Sequence, residues 1–131
     1  MRNYFPFGPS TVTTGAQQVI ATLEIVDNPR DIQLSAVPTT ITLNGFRLQF
    51  LPPDVAFAAA AEGDWQTLAK DNDFKPATLG APVVSSDPVG ISALTDGVRG
   101  FAHVLLPPTR GIRLLASAAS SSGTVKGSIG I

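Results

Sequence analysis

Residues 39–51, Thr39-Thr40-Ile41-Thr42-Leu43-Asn44-Gly45-Phe46-Arg47-Leu48-Gln49-Phe50-Leu51, hold two alternating runs on either side of an Asn-Gly pair. Phe46, Leu48 and Phe50 point one way and Arg47 and Gln49 the other, the period of two expected of a half-buried strand. Asn-Gly accepts the positive φ angles of a two-residue type I′ turn. The stretch therefore predicts a β-hairpin of 39–43 with 46–51, and with it a chain built from strands.

The same period continues outward. In 17–26, Val19, Ala21, Leu23 and Ile25 alternate with Gln18, Ile20, Thr22 and Glu24, and Asp27-Asn28-Pro29 ends the run. Ile32 and Leu34 alternate with Asp31, Gln33 and Ser35 through 31–37, where Pro38 is expected to stop the strand. Residues 54–70 are ambiguous. Their alanines favour helix and Asp54 could cap one, but Gly63 interrupts and no 3.6-residue stripe emerges. A second hairpin is expected instead, with Val55 and Phe57 on one side of Glu62-Gly63-Asp64 and Trp65 and Thr67 on the other. Residues 71–100, with Pro76, Pro82 and Pro88, read as long connections with short strands at 82–85 and around Ile91. Three further strands are expected at 101–106, 112–118 and 124–131, the last two joined by a loop around Ser120-Ser121-Ser122-Gly123. Short strands at this spacing predict one all-β domain over 17–131, an antiparallel β-sandwich or jelly roll, preceded by an extended N-terminal arm over 1–16. Gly45-Phe46-x4-Leu51-Pro52-Pro53 also recurs as Gly100-Phe101-x4-Leu106-Pro107-Pro108, which would suit equivalent strand ends at which a diproline turns the chain between sheets.

Composition excludes several function classes. The chain has 131 residues, 44% hydrophobic and 15% charged, with nine Lys/Arg against ten Asp/Glu. A net charge of −1 with scattered basic residues does not suit a phosphate backbone, so no nucleic-acid partner is expected. Without Cys there is no disulfide framework, thiol nucleophile or thiolate zinc site. The longest apolar run, 55–61, is too short for a bilayer-spanning helix of about 20 residues. Pro6 and Pro9 preclude a signal-peptide core, so synthesis in the cytoplasm and no membrane partner are expected.

The chemistry-bearing residues form no constellation. His103, the single histidine, shares a strand face with Phe101 and Leu105 and reads as a packed or interfacial imidazole. No Gly-x-Ser-x-Gly elbow occurs. Glu24 and Glu62 are the only glutamates, and nothing pairs the aspartates for glycosidase chemistry. Asp71-Asn72-Asp73 starts like a calcium loop, but Lys75 and Pro76 occupy positions that need a ligand and a glycine, and no glutamate follows. Lys126-Gly127-Ser128 has phosphate-loop residues in the wrong order and within a strand. Trp65 is expected in the core, with a sugar-stacking platform as the alternative. No enzyme activity, catalytic residue, cofactor or metal is expected.

What stands out is the N-terminal arm, where Tyr4, Phe5 and Phe7 interleave with Pro6, Gly8 and Pro9. The arm either folds back on its own domain or docks on a neighbour. With this arm, the hairpin around Asn44-Gly45 and the small-residue ending from Arg113-Leu114-Leu115-Ala116-Ser117 to Gly130-Ile131, the chain resembles the head decoration, or cement, proteins of tailed bacteriophages. These are small β-sandwich or jelly-roll subunits that bind the outside of a capsid. The resemblance implies a structural virion protein on the capsid surface that associates with itself as a dimer or trimer and clamps neighbouring major capsid proteins. Tyr4, Phe5, Pro6 and Phe7 would then form the partner interface, and loss of residues 1–9 would abolish attachment while the sandwich stayed folded. Two alternatives share the composition. One is another virion component, such as a collar, tail or fibre part. The other is a carbohydrate-binding module, in which Trp65, Tyr4 and the 71–73 turn would converge on one exposed face.

Overall fold

Alternating apolar residues become strands wherever a second sheet is available to cover their buried side. A computed structural model of the protein, which describes residues 2–27, 29, 31–67 and 93–131, shows eight of them. They are β1 (Tyr4–Val12), β2 (Gln18–Glu24), β3 (Asp31–Thr39), β4 (Leu43–Phe50), β5 (Gln66–Thr67), β6 (Gly100–Leu105), β7 (Gly111–Ala118) and β8 (Gly123–Gly130). One sheet has the order β1-β8-β3-β6 and the other β2-β7-β4-β5. Every pairing is antiparallel: β1 with β8, β2 with β7, β3 with β6 and β4 with β5. The chain thus follows one long hairpin bent between β4 and β5 and rolled up, with β3·β8 and β4·β7 closing the two sheets. That is the jelly-roll form of the β-sandwich.

The inward faces meet in one core. Ile32, Leu34 and Ala36 of β3, Val104 of β6 and Val125 and Ile129 of β8 oppose Phe46, Leu48 and Phe50 of β4 and Ile112, Leu114, Ala116 and Ala118 of β7. β7 is buried along its whole length. The buried Val, Leu, Ile and Phe side chains among these each contribute on the order of 1.5–3 kcal/mol, an upper bound because the unfolded chain already hides part of its surface.

The expected hairpin at 39–51 is not formed. The chain reverses at residues 40–42, where Thr40 has φ 67° and its N–H donates to Asp96 Oδ1 at 2.8 Å. β3 and β4 then enter different sheets. Side by side in one sheet they could not oppose each other across the core, whereas β4 gains a full partner in β7, with Phe46 opposite Ala116, Leu48 opposite Leu114 and Phe50 opposite Ile112. Asn44-Gly45 falls inside β4, where these two residues lie opposite the single Ser117 between the Leu43–Ala118 and Phe46–Ala116 pairs, a β-bulge. Asn44 Nδ2 donates to the Ala118 carbonyl there, at 3.3 Å.

Other expectations are corrected in the same region. In place of a strand pair, residues 54–65 hold two single-turn 3-10 helices, Phe57–Ala59 and Glu62–Asp64, and among the described residues of the segment Gln66–Thr67 joins the sheet. Pro38 lies inside β3, because β6 pairs no further than Ala36 and no donor is needed on that side. A register shift between Val19 and Ala21 turns Ile20 into the core and leaves Val19 exposed, which reverses the expected sides of these two residues, whereas Ala21, Leu23 and Ile25 face the core as expected. The two Gly-Phe…Pro-Pro segments are not equivalent: Phe46 is buried and Phe101 exposed, and only the second diproline precedes a change of sheet. The segments expected at 82–85 and around Ile91 lie outside the described residues, as does the 71–73 turn.

Tyr4–Val12 of the N-terminal arm is extended and belongs to the sandwich as β1. Its register shifts between Phe7 and Ser10, where Gly8 adopts φ 82°. Tyr4 lies opposite Gly130 and Phe7 opposite Gly127. A Cβ on Gly130 would come within 2.7 Å of Tyr4 Cε1, and one on Gly127 within 2.8 Å of Phe7 Cζ, so each ring covers a glycine. Cross-strand aromatic cover of this kind fixes the register of an edge strand.

Candidate functional site

The outer face of the β1-β8-β3-β6 sheet gathers most of the residues singled out in the sequence. With Ile32, Leu34 and Ala36 inward, Asp31, Gln33 and Ser35 point outward, as do Phe101, His103 and Leu105 on β6 and Lys126 and Ser128 on β8. One row crosses all four strands, from Tyr4 over Gly130 to Gln33 and His103. A second row runs Pro6, Ser128, Ser35 and Phe101. The middle of the face holds the small residues Gly130, Ser128 and Ser35 beside Gln33 and Lys126, and large apolar residues stand at its margins, with Tyr4 60%, Phe101 76% and Leu105 56% exposed. Four strands place these margins about 14 Å apart. A shallow hollow of about 260 Å³ opens beside Gln33, Phe101 and His103.

Polar contacts lock this face in place. The Tyr4 hydroxyl donates to Gln33 Oε1 at 3.3 Å, and Arg99 Nη1 donates to Ser35 Oγ at 2.7 Å. Asp31 Oδ2 accepts from Arg2 Nη2 at 2.7 Å and from His103 Nε2, so three segments distant in sequence meet at one carboxylate. The hydrogen bond from Arg2, reinforced by that from His103, lowers the Asp31 pKa from 3.8 to about 2. Arg2 is raised in return, chiefly by its hydrogen bond to Asp31. His103 is thus an exposed side chain at a candidate interface.

Of the expected interface residues, Tyr4, Phe5 and Pro6 are exposed, whereas Phe7 is half-buried against the core. Trp65 is not in the core. It lies half-buried on the outer side of the opposite sheet, with the Arg113 guanidinium 4.6 Å from its ring centroid and Phe57 edge-on at 6.4 Å. Trp65 and Tyr4 therefore occupy opposite sheets and do not converge, as a sugar-binding face built on both would require. Lys126-Gly127-Ser128 is strand, as expected. Among the described residues, no three His, Cys, Asp or Glu side chains are grouped to hold a metal ion, and no helix is long and apolar enough to cross a membrane.

Sequence reasoning missed Arg113. Its side chain is 7% exposed and fully engaged: Nη2 and Nη1 donate to the two carboxylate oxygens of Glu62 at 2.6 and 3.0 Å, and Nε donates to Gln49 Oε1 at 2.7 Å. The hydrogen bonds from Arg113 hold the Glu62 carboxyl below its ordinary value. The available signal was a lone Arg within the apolar run Ile112-Arg113-Leu114-Leu115, which marks a charge that must find partners. No family model, curated protein or solved structure matches the chain.

Proposed function

We propose that the protein is a structural virion subunit that binds the outer surface of a phage capsid and stabilises it by clamping neighbouring capsid subunits. The observation that carries this reading is the outer face of the β1-β8-β3-β6 sheet. Tyr4, Phe101 and Leu105 are held exposed on a hydrogen-bonded sheet, so little conformational freedom remains to be lost on docking. Rings fully desolvated at a protein contact contribute on the order of 1.5–3 kcal/mol each. The jelly-roll form, the size and the low charge support the same reading, as does an N-terminal strand that offers Tyr4, Phe5 and Pro6 to a partner without leaving its sheet. Repetition over a capsid, with subunits associated as dimers or trimers, multiplies a modest contact through effective concentration.

The test is to mix the purified protein with expanded capsids assembled without it, count bound copies by cryo-EM and measure the mass of the free form. Copies matching the icosahedral symmetry axes are the expected result. Binding at one vertex or on the tail alone would assign it to a collar, tail or fibre instead.

A further inference from the structure

The charges of the described residues are not evenly spread over the sandwich. Among the described residues, Arg2, Arg99 and Lys126 stand on or beside the outer face of the β1-β8-β3-β6 sheet with two carboxylates, Asp31, which pairs with Arg2, and Asp96, which accepts the Thr40 N–H at the end of β3. On and around the other sheet, Arg47, Arg110 and Arg113 are accompanied by Glu24, Asp27, Asp54, Glu62 and Asp64. The described residues thus leave a small cationic excess on the face where Tyr4, Phe101 and Leu105 are exposed. Resting on the capsid reading, we propose that this face is the docking surface and that it takes an acidic protein surface bearing apolar side chains, on the capsid protein.

The geometry gives the two kinds of contact separate places. Phe101 and Leu105 on the edge strand β6, and Tyr4 at the far margin, supply apolar anchors on either side of a small-residue floor of Gly130, Ser128 and Ser35. Lys126 and Arg99 border this floor and meet carboxylates as the anchors seat. Such charges steer encounter and select the partner, while desolvated rings hold it. Asp31 does not repel an acidic surface, since its charge is matched by Arg2 at 2.7 Å and further offset when His103 is protonated.

The test uses the full chain and expanded capsids assembled without it, with bound copies measured against protein concentration at low and high salt. Lys126→Glu with Arg99→Glu is expected to weaken binding at least about tenfold at low salt and to flatten its salt dependence. Phe101→Ser with Leu105→Ser is expected to abolish saturable occupancy. Glu24→Lys with Val19→Ser, on the other sheet, is expected to bind like the parent chain. All variants are first checked for an unchanged unfolding midpoint, which exposed positions should preserve. If the parent binds and both face variants match its occupancy, the face assignment is overturned while the capsid reading stands. If the parent itself does not bind, the capsid reading falls and this partner assignment falls with it.

Discussion

The Arg113 guanidinium reaches both carboxylate oxygens of Glu62, yet the two side chains differ sharply in environment, 7% against 82% exposed. Arg113 rises from the outer side of β7 and is capped by the Trp65 ring, so one buried cation fastens the 3-10 segment to the sheet beneath it. The pair is therefore a clamp with one fixed jaw and one solvated jaw.

Removing the fixed jaw should matter more. Arg113→Ala removes the stem and the cation under Trp65 and is expected to cost about 2–4 kcal/mol, whereas Glu62→Gln, at a solvated carboxylate, should cost about 1 kcal/mol or less. Urea unfolding followed by Trp65 fluorescence measures both. Equal losses would show that the ion pair, and not the packing of Trp65 on Arg113, holds the segment.

The glycines of β8 make a second prediction. A Cβ on Gly127 would run into the Ser35 carbonyl as well as Phe7, and neither the central strand nor a half-buried ring can retreat far. Gly127→Ala is expected to destabilise the protein by about 3 kcal/mol, near the upper end of overpacking effects. Gly130→Ala meets only the Tyr4 ring, which is exposed and can swing outward, so its cost should be about 1 kcal/mol. Gly63→Ala, with nothing within 4 Å, is the control. Thermal unfolding of the three variants should rank them in that order.

Period-two alternation made the class of fold and most strands legible, because residues such as Ile32, Leu34, Phe46, Leu48 and Phe50 carry their buried side in their spacing. Pairing was not legible. Asn44-Gly45 marks a backbone departure, but a turn and a bulge use the same residues, and only the partner strand 70 residues away decides between them. The inward side of Ile20 is hidden for the same reason, since one extra residue opposite β7 inverts β2 ahead of Ala21 and leaves the rest of the strand in phase. The candidate face is half visible: Phe101, His103 and Leu105 read as one strand face, and Tyr4 stands apart in the arm. Their meeting on one sheet depends on the β1·β8 and β3·β6 pairings, which local sequence does not encode.

Thr109 explains how the two diproline segments are joined. Its hydroxyl is buried between them, its single proton within reach of either Leu51 O at 2.7 Å or Gly111 O at 2.8 Å, and the N–H groups of Leu51 and Gly111 both donate to it at 3.2 Å. Thr109→Val keeps the shape and removes the hydroxyl, so its buried contacts are lost while Leu51 N–H keeps Gly111 O at 2.9 Å. It is expected to cost about 1–3 kcal/mol, with Thr109→Ser recovering much of it. Chemical denaturation of the two variants checks this, and an equal loss in both would mean that the methyl group, not the hydroxyl, is what the site needs.

The Arg2–Asp31–His103 cluster sets an acid limit on the face it organises. Asp31 titrates lower in the folded chain than in the unfolded one, so it adds stability above its unfolded value of 3.8 and loses that contribution as pH falls toward about 2. Protonation releases Arg2, which enters just before β1, and frees His103 on β6, so both edges of the sheet lose a tie at once. Asp31→Asn should be less stable than the parent at neutral pH by an amount that stays constant down to about pH 4. The difference should then shrink and be gone below about pH 2. High salt should narrow it throughout, because the cluster is open to solvent. Unfolding midpoints of the two proteins across this pH range provide the measurement. A difference that persists unchanged at pH 2 would show that Asp31 acts through packing, and that its ties to Arg2 and His103 add nothing to the stability of the sheet.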